Sequence, residues 1–430
     1  MKRLKMDWFA DVKPFRHDPL NFLLDFDLTK TAPLEKLRLG PQPVYLLTDP
    51  ELVKPILRFP ETQIDKGRLI KKLRSVIGDS VVILSGEEHK RRRGVLHGMM
   101  ARGNLERLAP LMSAEIRRCL ASATKAGGFD AHLIGSTLAL RLICIAAFGK
   151  NVLSETDEHA LVQSVRLIED DVADEIFRVF PLSPWAARKR NQRREASRAV
   201  MKRIVKKVRE DVGPTGGLEE YNRLGLSDEA LADEVLTLLL AGHHTTGAAV
   251  AWLLHALATE PGLADKIAAE ASSMTDLHGE IDASKLPGAR TTMATVREVT
   301  RLFPSSWWFS RETIEETTIG GRTLKPNTSI LLSPWLFHRS PHFWEEPDMF
   351  KLDRGYNNPA YLPFGAGPRA CVGMTLATFE LQLIAMECAS SLVLEFDQVT
   401  RPEPEAQVML MPPPMQMRTT PKIERLSQVA

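Results

Sequence analysis

One cysteine and its neighbours constrain this chain more than anything else in it. Cys371 lies in the run Phe364-Gly-Ala-Gly-Pro-Arg-Ala-Cys-Val-Gly373. Gly365, Gly367 and Gly373 leave the backbone free to turn sharply around the sulfur, and Pro368 stiffens the turn. Phe364 would shield the sulfur from water. Arg369, two residues before the sulfur, is placed to pair with an anionic group, and backbone N–H groups aimed at a thiolate would moderate its charge. The segment that follows, Met374-Thr-Leu-Ala-Thr-Phe-Glu-Leu-Gln-Leu-Ile-Ala-Met386, has helical apolar spacing. The loop therefore opens into a buried helix whose N-terminal dipole faces the sulfur. This reads as a loop that presents a thiolate to a metal, not as an incidental buried thiol.

Matched at every position, the pattern Phe-Gly-x-Gly-x-Arg-x-Cys-x-Gly resembles the ligand loop of the cytochrome P450s, the haem-thiolate monooxygenases. The resemblance implies haem b as cofactor, Cys371 as axial ligand to its iron, and Phe364, Arg369 and Gly373 beside it. It also implies one large unit over residues 1–430, mainly α with a small β-rich subdomain. The β-rich part is expected at about 30–65, 313–335 and 392–425, and the helical part at about 66–312 and 336–391.

Composition adds limits. Hydrophobic residues make up 44% and charged residues 26% of the chain, ordinary for a globular protein. Lysine plus arginine number 56 against 54 acids, so a net charge of +2 gives no argument for nucleic acid binding. Four scattered cysteines, Cys119, Cys144, Cys371 and Cys388, make no disulfide framework and point to a reducing cytoplasm. The N-terminal residues carry positive charge without an apolar stretch behind it, so no signal peptide or membrane anchor is read. The long apolar stretch Val235–Ala258 is interrupted by Gly-His-His-Thr-Thr and reads as a core helix.

Along the chain, residues 40–60 read as a strand followed by a helix, and 88–225 as mostly helical. Pro181-Leu-Ser-Pro-Trp185 breaks two helices, and the basic run up to Val212 reads as a solvated helix face; the resemblance makes this the lid over the substrate pocket. Ser227-Asp-Glu caps a long helix ending near Glu260-Pro261-Gly262. From Thr313 the alternation around Gly-Gly and Pro-Asn predicts a small antiparallel sheet. Residues 392–425 read as strands joined by the Met411–Met417 loop.

Several constellations carry the remaining chemistry. Glu298 and Arg301 stand three apart and share a helix face. They resemble the family's Glu-x-x-Arg pair, with Arg354 as third partner in a lock that supports the ligand loop. His89 and Arg93, one turn apart in His-Lys-Arg-Arg-Arg, suit the haem propionates, and Arg311 matches a further propionate-binding arginine. Lys90, Arg91 and Arg92 are expected to face solvent as a positive docking patch. In Leu240-Ala-Gly-His-His-Thr-Thr246 the resemblance puts Ala241 against the haem and gives Thr245 the task of hydrogen-bonding dioxygen. Ala241-Gly242 would leave room for the helix to bend there. The family has an acid before that threonine; here it is His244, a possible proton relay if burial does not silence it. Zinc held by both His243 and His244 is disfavoured, because adjacent helical side chains diverge by about 100°. By position, Trp307, Trp308 and Met411 are carried over as substrate contacts, implying a terpenoid, fatty acid or aromatic compound.

The reading is a monooxygenase that takes O2 and two electrons from a separate ferredoxin and its reductase. A peroxide-driven hydroxylase and a non-catalytic haem sensor are the alternatives.

Overall fold

The hydroxyl of Ser227 accepts the Ala230 N–H at 3.2 Å and starts a helix running Asp228–Thr259. At 1.5 Å per residue it is about 48 Å long and crosses the molecule. This computed structural model describes residues 6–29, 32–177, 182–212, 220, 221, 223–398 and 401–422.

A second apolar helix, Ala131–Phe148, packs against the central one. Asp130 caps its start by accepting the Leu133 N–H at 2.9 Å, and Gly149, with φ 76°, closes its end. The two helices approach so closely that a Cβ on Gly135 would lie 2.4 Å from the Gly247 carbonyl oxygen, and one on Gly242 2.6 Å from Ile143. A side chain at Gly242 would thus collide with Ile143, a packing reason for the glycine that spacing alone did not disclose. Ala131–Phe148 is the helix among the described residues long and apolar enough to cross a membrane, and 78% of it is buried inside the protein.

Twelve short strands are described: β1 (Leu34–Leu37), β2 (Val44–Leu47), β3 (Ile64–Asp65), β4 (Gly128–Asp130), β5 (Phe309–Thr313), β6 (Thr317–Ile319), β7 (Arg322–Leu324), β8 (Ser329–Leu332), β9 (Leu392–Glu395), β10 (Glu405–Ala406), β11 (Leu410–Met411) and β12 (Gln416–Pro421). The main sheet has the order β1-β2-β8-β5-β3, with β2 and β8 parallel and the other pairs antiparallel. The small antiparallel sheet expected after Thr313 is therefore two things. Only β6 and β7 form a separate hairpin, on Gly320-Gly321. Ile330, Leu331 and Leu332 are consecutive and buried, the signature of an interior strand, so β8 leaves for the mixed sheet.

β4 interrupts the part expected to be helical and pairs with β12 (Gln416↔Asp130, Arg418↔Gly128), which pairs in turn with β9. Helices Glu155–Phe177 and Pro184–Val212 flank the expected break. Pro181 itself lies outside the described residues, as do 30, 31, 178–180, 213–219, 222, 399, 400 and 423–425 of the expected segments.

Candidate active site

The ligand loop folds around its sulfur through short backbone contacts. Gly367 has φ +73°, and a Cβ there would lie 2.8 Å from the Leu57 carbonyl oxygen, so only glycine fits. The Cys371 N–H donates to the Phe364 carbonyl at 2.9 Å and closes the loop, and helix Met374–Ser391 begins just beyond Gly373. Cys371 faces a cavity of about 390 Å³, with Phe364, Arg369 and Gly373 also in its wall. Burial pushes the Cys371 thiol up, while the Gly373 backbone N–H and then Arg93 pull it down, for a net rise. A bound cation is what would deprotonate it.

Another part of the wall is one face of the central helix, read at i, i+3, i+4 spacing: Glu234, Thr237, Leu238, Ala241, Thr245 and Ala249. The Thr245 hydroxyl donates to the Ala241 carbonyl at 3.0 Å, and the Ser305 hydroxyl donates to the Thr245 carbonyl at 2.8 Å. His244 is buried and outside the wall. It lies against His243, with ring centroids 5.2 Å apart and planes at 46°. Burial, then His244, takes His243 down to about 3, so it is neutral.

Cations collect beside the cavity. Arg311 and Arg369 are in its wall, and His89, outside that wall, feels the charges of Arg369, Lys66 and Arg93. An Arg93 Nη donates to the Ala370 carbonyl at 2.7 Å, tying helix Gly86–Met99 to the ligand loop. Burial first, and then Arg369, bring Arg311 down to about 10 and His89 to about 4. Lys66, not anticipated from the sequence, belongs to the same group. It donates to the carbonyls of Val82, Ile83 and Leu84 at 2.8, 2.8 and 2.6 Å, and burial, then Arg369, lower it to about 8. Glu61 pairs with Arg369, and Asp65 pairs with Lys71. Lys66, Arg93 and Arg311 remain an excess of positive charge, which is the environment a dianionic group needs.

Glu298, Arg301 and Arg354 meet in one buried cluster. Both Glu298 and Arg301 are fully buried, not a surface pair. Glu298 accepts from Arg301 Nε and Nη at 2.8 Å each, from Arg354 Nε at 2.8 Å, from Tyr356 Oη at 2.9 Å and from the Lys351 N–H at 3.0 Å. Arg301 also donates to the carbonyls of His338, Pro347 and Met349. Its five donors are all engaged. His338, unnoticed in the sequence, carries the link onward. Its Nδ1 lies 2.9 Å from the Arg301 carbonyl and its Nε2 accepts the Leu362 N–H at 2.9 Å, two residues before Phe364.

The three carried-over substrate positions stand outside the cavity wall. Trp307 is fully buried, its Nε1 donating to the Gln407 carbonyl at 3.0 Å. Ser305, Ser306 and Phe309 take the place of Trp307 and Trp308 in the wall, and Met409 that of Met411. Around Lys90, the expected docking patch is also changed. Arg92 is buried against Glu234 (2.9 Å) and Glu88 (2.6 Å), and Lys90 and Arg91 pair with Glu87 and Glu88. Glu87 and Glu88, three and four positions away, and the sequence-distant Glu234 neutralise the run. Two further wall residues went unread: Thr237, legible by counting back from Thr245 in helical steps, and Glu380, hidden in an apolar helix. Burial drives the Glu380 carboxyl well up.

A loop cysteine, a threonine-bearing helix face and cationic side chains line one apolar cavity, an arrangement that suits a haem-thiolate protein. The chain belongs to the cytochrome P450 family: the family model described as Cytochrome P450 matches residues 18–419. Similar proteins include cyclooctatin synthase of Streptomyces melanosporofaciens, 28% identical over 94% of this chain and 92% of that one. Cyclooctat-9-en-7-ol 5-monooxygenase of the same organism is 29% identical over 86% and 84%, and pentalenene oxygenase of Streptomyces avermitilis is 27% identical over 89% of each. The protein is a cytochrome P450 monooxygenase with a haem-thiolate cofactor.

Proposed function

We propose that the chain inserts one oxygen atom from O2 into a terpenoid-type lipophilic substrate, using haem b and electrons from a ferredoxin and its reductase in a reducing cytoplasm. One observation carries the reading: Cys371 and Thr245 line a single cavity whose wall is otherwise rich in Leu57, Val81, Val82, Leu96, Leu238 and Ile143. The residues present suit the cofactor. Cys371 offers a thiolate, Arg311, Arg369, Arg93 and His89 offer donors for two carboxylates, and the uncompensated charge around Lys66 favours binding them. The four cysteines include no Cys-x-x-Cys-His attachment site, which supports the non-covalent haem b. When bound, that group supplies dioxygen activation, with electron push from the thiolate favouring O–O cleavage.

The chain's own residues do the rest. Thr245 holds a rotatable hydroxyl in the wall, and Ser305 fixes its backbone. Glu380, kept protonated by burial, holds a proton elsewhere in the same wall. His244 stands where the family has an acid and is the candidate to modulate proton supply. Apolar side chains exclude water from the reacting volume. The substrate class is supported by relatives whose names print cyclooctat-9-en-7-ol and pentalenene. The external donor is supported by the cysteines, since Cys119, Cys144 and Cys388 are separately buried and free.

The test is turnover with NADPH, ferredoxin reductase, ferredoxin and isotopically labelled O2 over a panel of terpenes. Products gaining one labelled oxygen support the reading. Products formed only with added peroxide overturn the use of O2, and no product from any donor overturns the enzyme reading in favour of a sensor. Acid–acetone extraction of the pigment checks haem b; a pigment that stays with the protein refutes it.

A further inference from the structure

Threonines inside helices usually quiet their hydroxyls by donating to the carbonyl four residues back. Six do so here: Thr124, Thr137, Thr245, Thr259, Thr295 and Thr300, at 2.9 to 3.0 Å. Thr237 does not. It is 4% exposed, its Oγ1 has no hydrogen-bond partner, and it lines the cavity. A buried hydroxyl left this way is costly unless something else completes it.

Its surroundings say what that is. Leu238, Val81 and Val82 in the same wall offer no polar atom from their side chains. One turn back, Glu234 is also in the wall, with Oε1 accepting from Arg92 at 2.9 Å and Oε2 facing Tyr221 Oη at 3.4 Å. Each carboxylate oxygen still has acceptor capacity. Thr237 can donate and accept, and Glu234 can accept.

We propose that Thr237, with Glu234 behind it, anchors a hydroxyl group that the substrate already carries when it enters. A hydroxyl fits better than a ketone, because only the hydroxyl can accept from Thr237 and donate toward Glu234. Thr237 is eight residues before Thr245, about 12 Å along the helix axis. The anchored oxygen therefore sits remote from the carbon being oxidised, and the anchor sets which carbon that is. A substrate of this kind is supplied by an earlier hydroxylation, or by a water-terminated cyclisation, of a terpene hydrocarbon. The inference rests on the lipophilic-substrate reading above and names the polar handle within it.

The experiment titrates the holoenzyme with a panel of terpene alcohols, each paired with its deoxy hydrocarbon, and follows the spectral shift on displacement of axial water. The same titrations are run on Thr237→Val, which keeps the shape, and Thr237→Ser, which keeps the hydroxyl. The reduced carbon monoxide spectrum confirms an intact site in each. Expected is a preference of about tenfold for the alcohols in the wild type and in Thr237→Ser, lost in Thr237→Val. Product positions should scatter in Thr237→Val only. An equal affinity for both members of each pair in the wild type overturns the proposal, even if Thr237→Val fails to fold. So does a preference that survives in Thr237→Val, the result expected if only a buried water completes Thr237. If no member of the panel shifts the spectrum, the terpenoid reading itself fails and the proposal falls with it.

Discussion

Replacing Glu298 by glutamine tests whether buried charge holds the ligand loop in place. The substitution keeps the volume and removes the charge. In the wild type, three guanidinium N–H groups converge on this carboxylate at 2.8 Å, two from Arg301 and one from Arg354, with Tyr356 and the Lys351 N–H completing it. A glutamine presents one oxygen to them and turns two donors on the other. Removing one partner of a buried pair costs about 3–5 kcal/mol, since the remaining charge is left uncompensated. At about 2.1 cal/mol/K per residue, unfolding a chain of 430 residues has an entropy near 0.9 kcal/mol/K, so the midpoint should fall by roughly 3–6 °C. Because Arg301 passes through His338 to Leu362, haem should also be lost faster, measured as transfer to apomyoglobin. A variant with unchanged midpoint and unchanged haem transfer would refute the argument. Acid should imitate the substitution. Burial raises the Glu298 carboxyl, but Arg301 and then Arg354 bring it below its usual value, while burial takes His338 down to about 3. Both groups bind protons more readily unfolded than folded. Their stabilisation is therefore complete above about pH 6.5, the unfolded histidine value, and is lost as pH falls toward about 3.

Cys371→His should abolish the red-shifted Soret band of the reduced, carbon monoxide-bound protein, while alanine at Cys119, Cys144 or Cys388 should leave it; an unchanged band in Cys371→His contradicts thiolate ligation. Thr245→Ala should divert electrons to peroxide, measured as NADPH consumed per product. His244→Ala should slow turnover and His244→Asp restore it, and equal rates for the two would make the histidine structural. Lys66 has a folded value of about 8 against an unfolded one near 10.5, so its burial costs least stability at high pH and the chain should gain stability from this group between those values. Over the same range one of its three donors to Val82, Ile83 and Leu84 disappears, so substrate affinity should weaken above about pH 8 in the wild type and stay flat in Lys66→Met. Replacing Lys90 and Glu87 together by glutamine should barely change the rate of reduction by ferredoxin at low salt, because the pair carries no net charge. A large, salt-sensitive loss there would restore Lys90 to the docking surface.

The two sides of the cavity differ in how much of them the sequence discloses, and the cause is physical. The thiolate side is built from local geometry. Gly367 must be glycine because of its φ and the Leu57 carbonyl behind it, and Cys371 closes on Phe364 within the same loop, so the whole device occupies one decapeptide. The Ser227 cap and the length of the central helix are local in the same way. What spacing alone misjudged depended on partners distant in sequence. Arg92 looked solvated beside Lys90 and Arg91, but Glu234, 142 residues on, draws it inward. β8 looked like part of a hairpin sheet until β2, nearly three hundred residues earlier, took its other edge.

The substrate side has no such signature, because its selectivity rests on which polar atoms are left without partners. Trp307 drew attention by size, yet its Nε1 is satisfied by Gln407 and it belongs to the core. Counting back from Thr245 in helical steps puts Thr237 on the cavity face, but nothing in that spacing marks its hydroxyl. Its distinction is a fully buried hydroxyl oxygen without a partner, visible only beside helical threonines such as Thr245 whose hydroxyls are seen donating. A thiolate site demands sharp backbone turns and charged donors for its ligand; a recognition site can rest on one hydroxyl left without a partner. The first demand repeats in sequence as glycines and charges, whereas the second falls on a single hydroxyl whose meaning depends on everything packed against it.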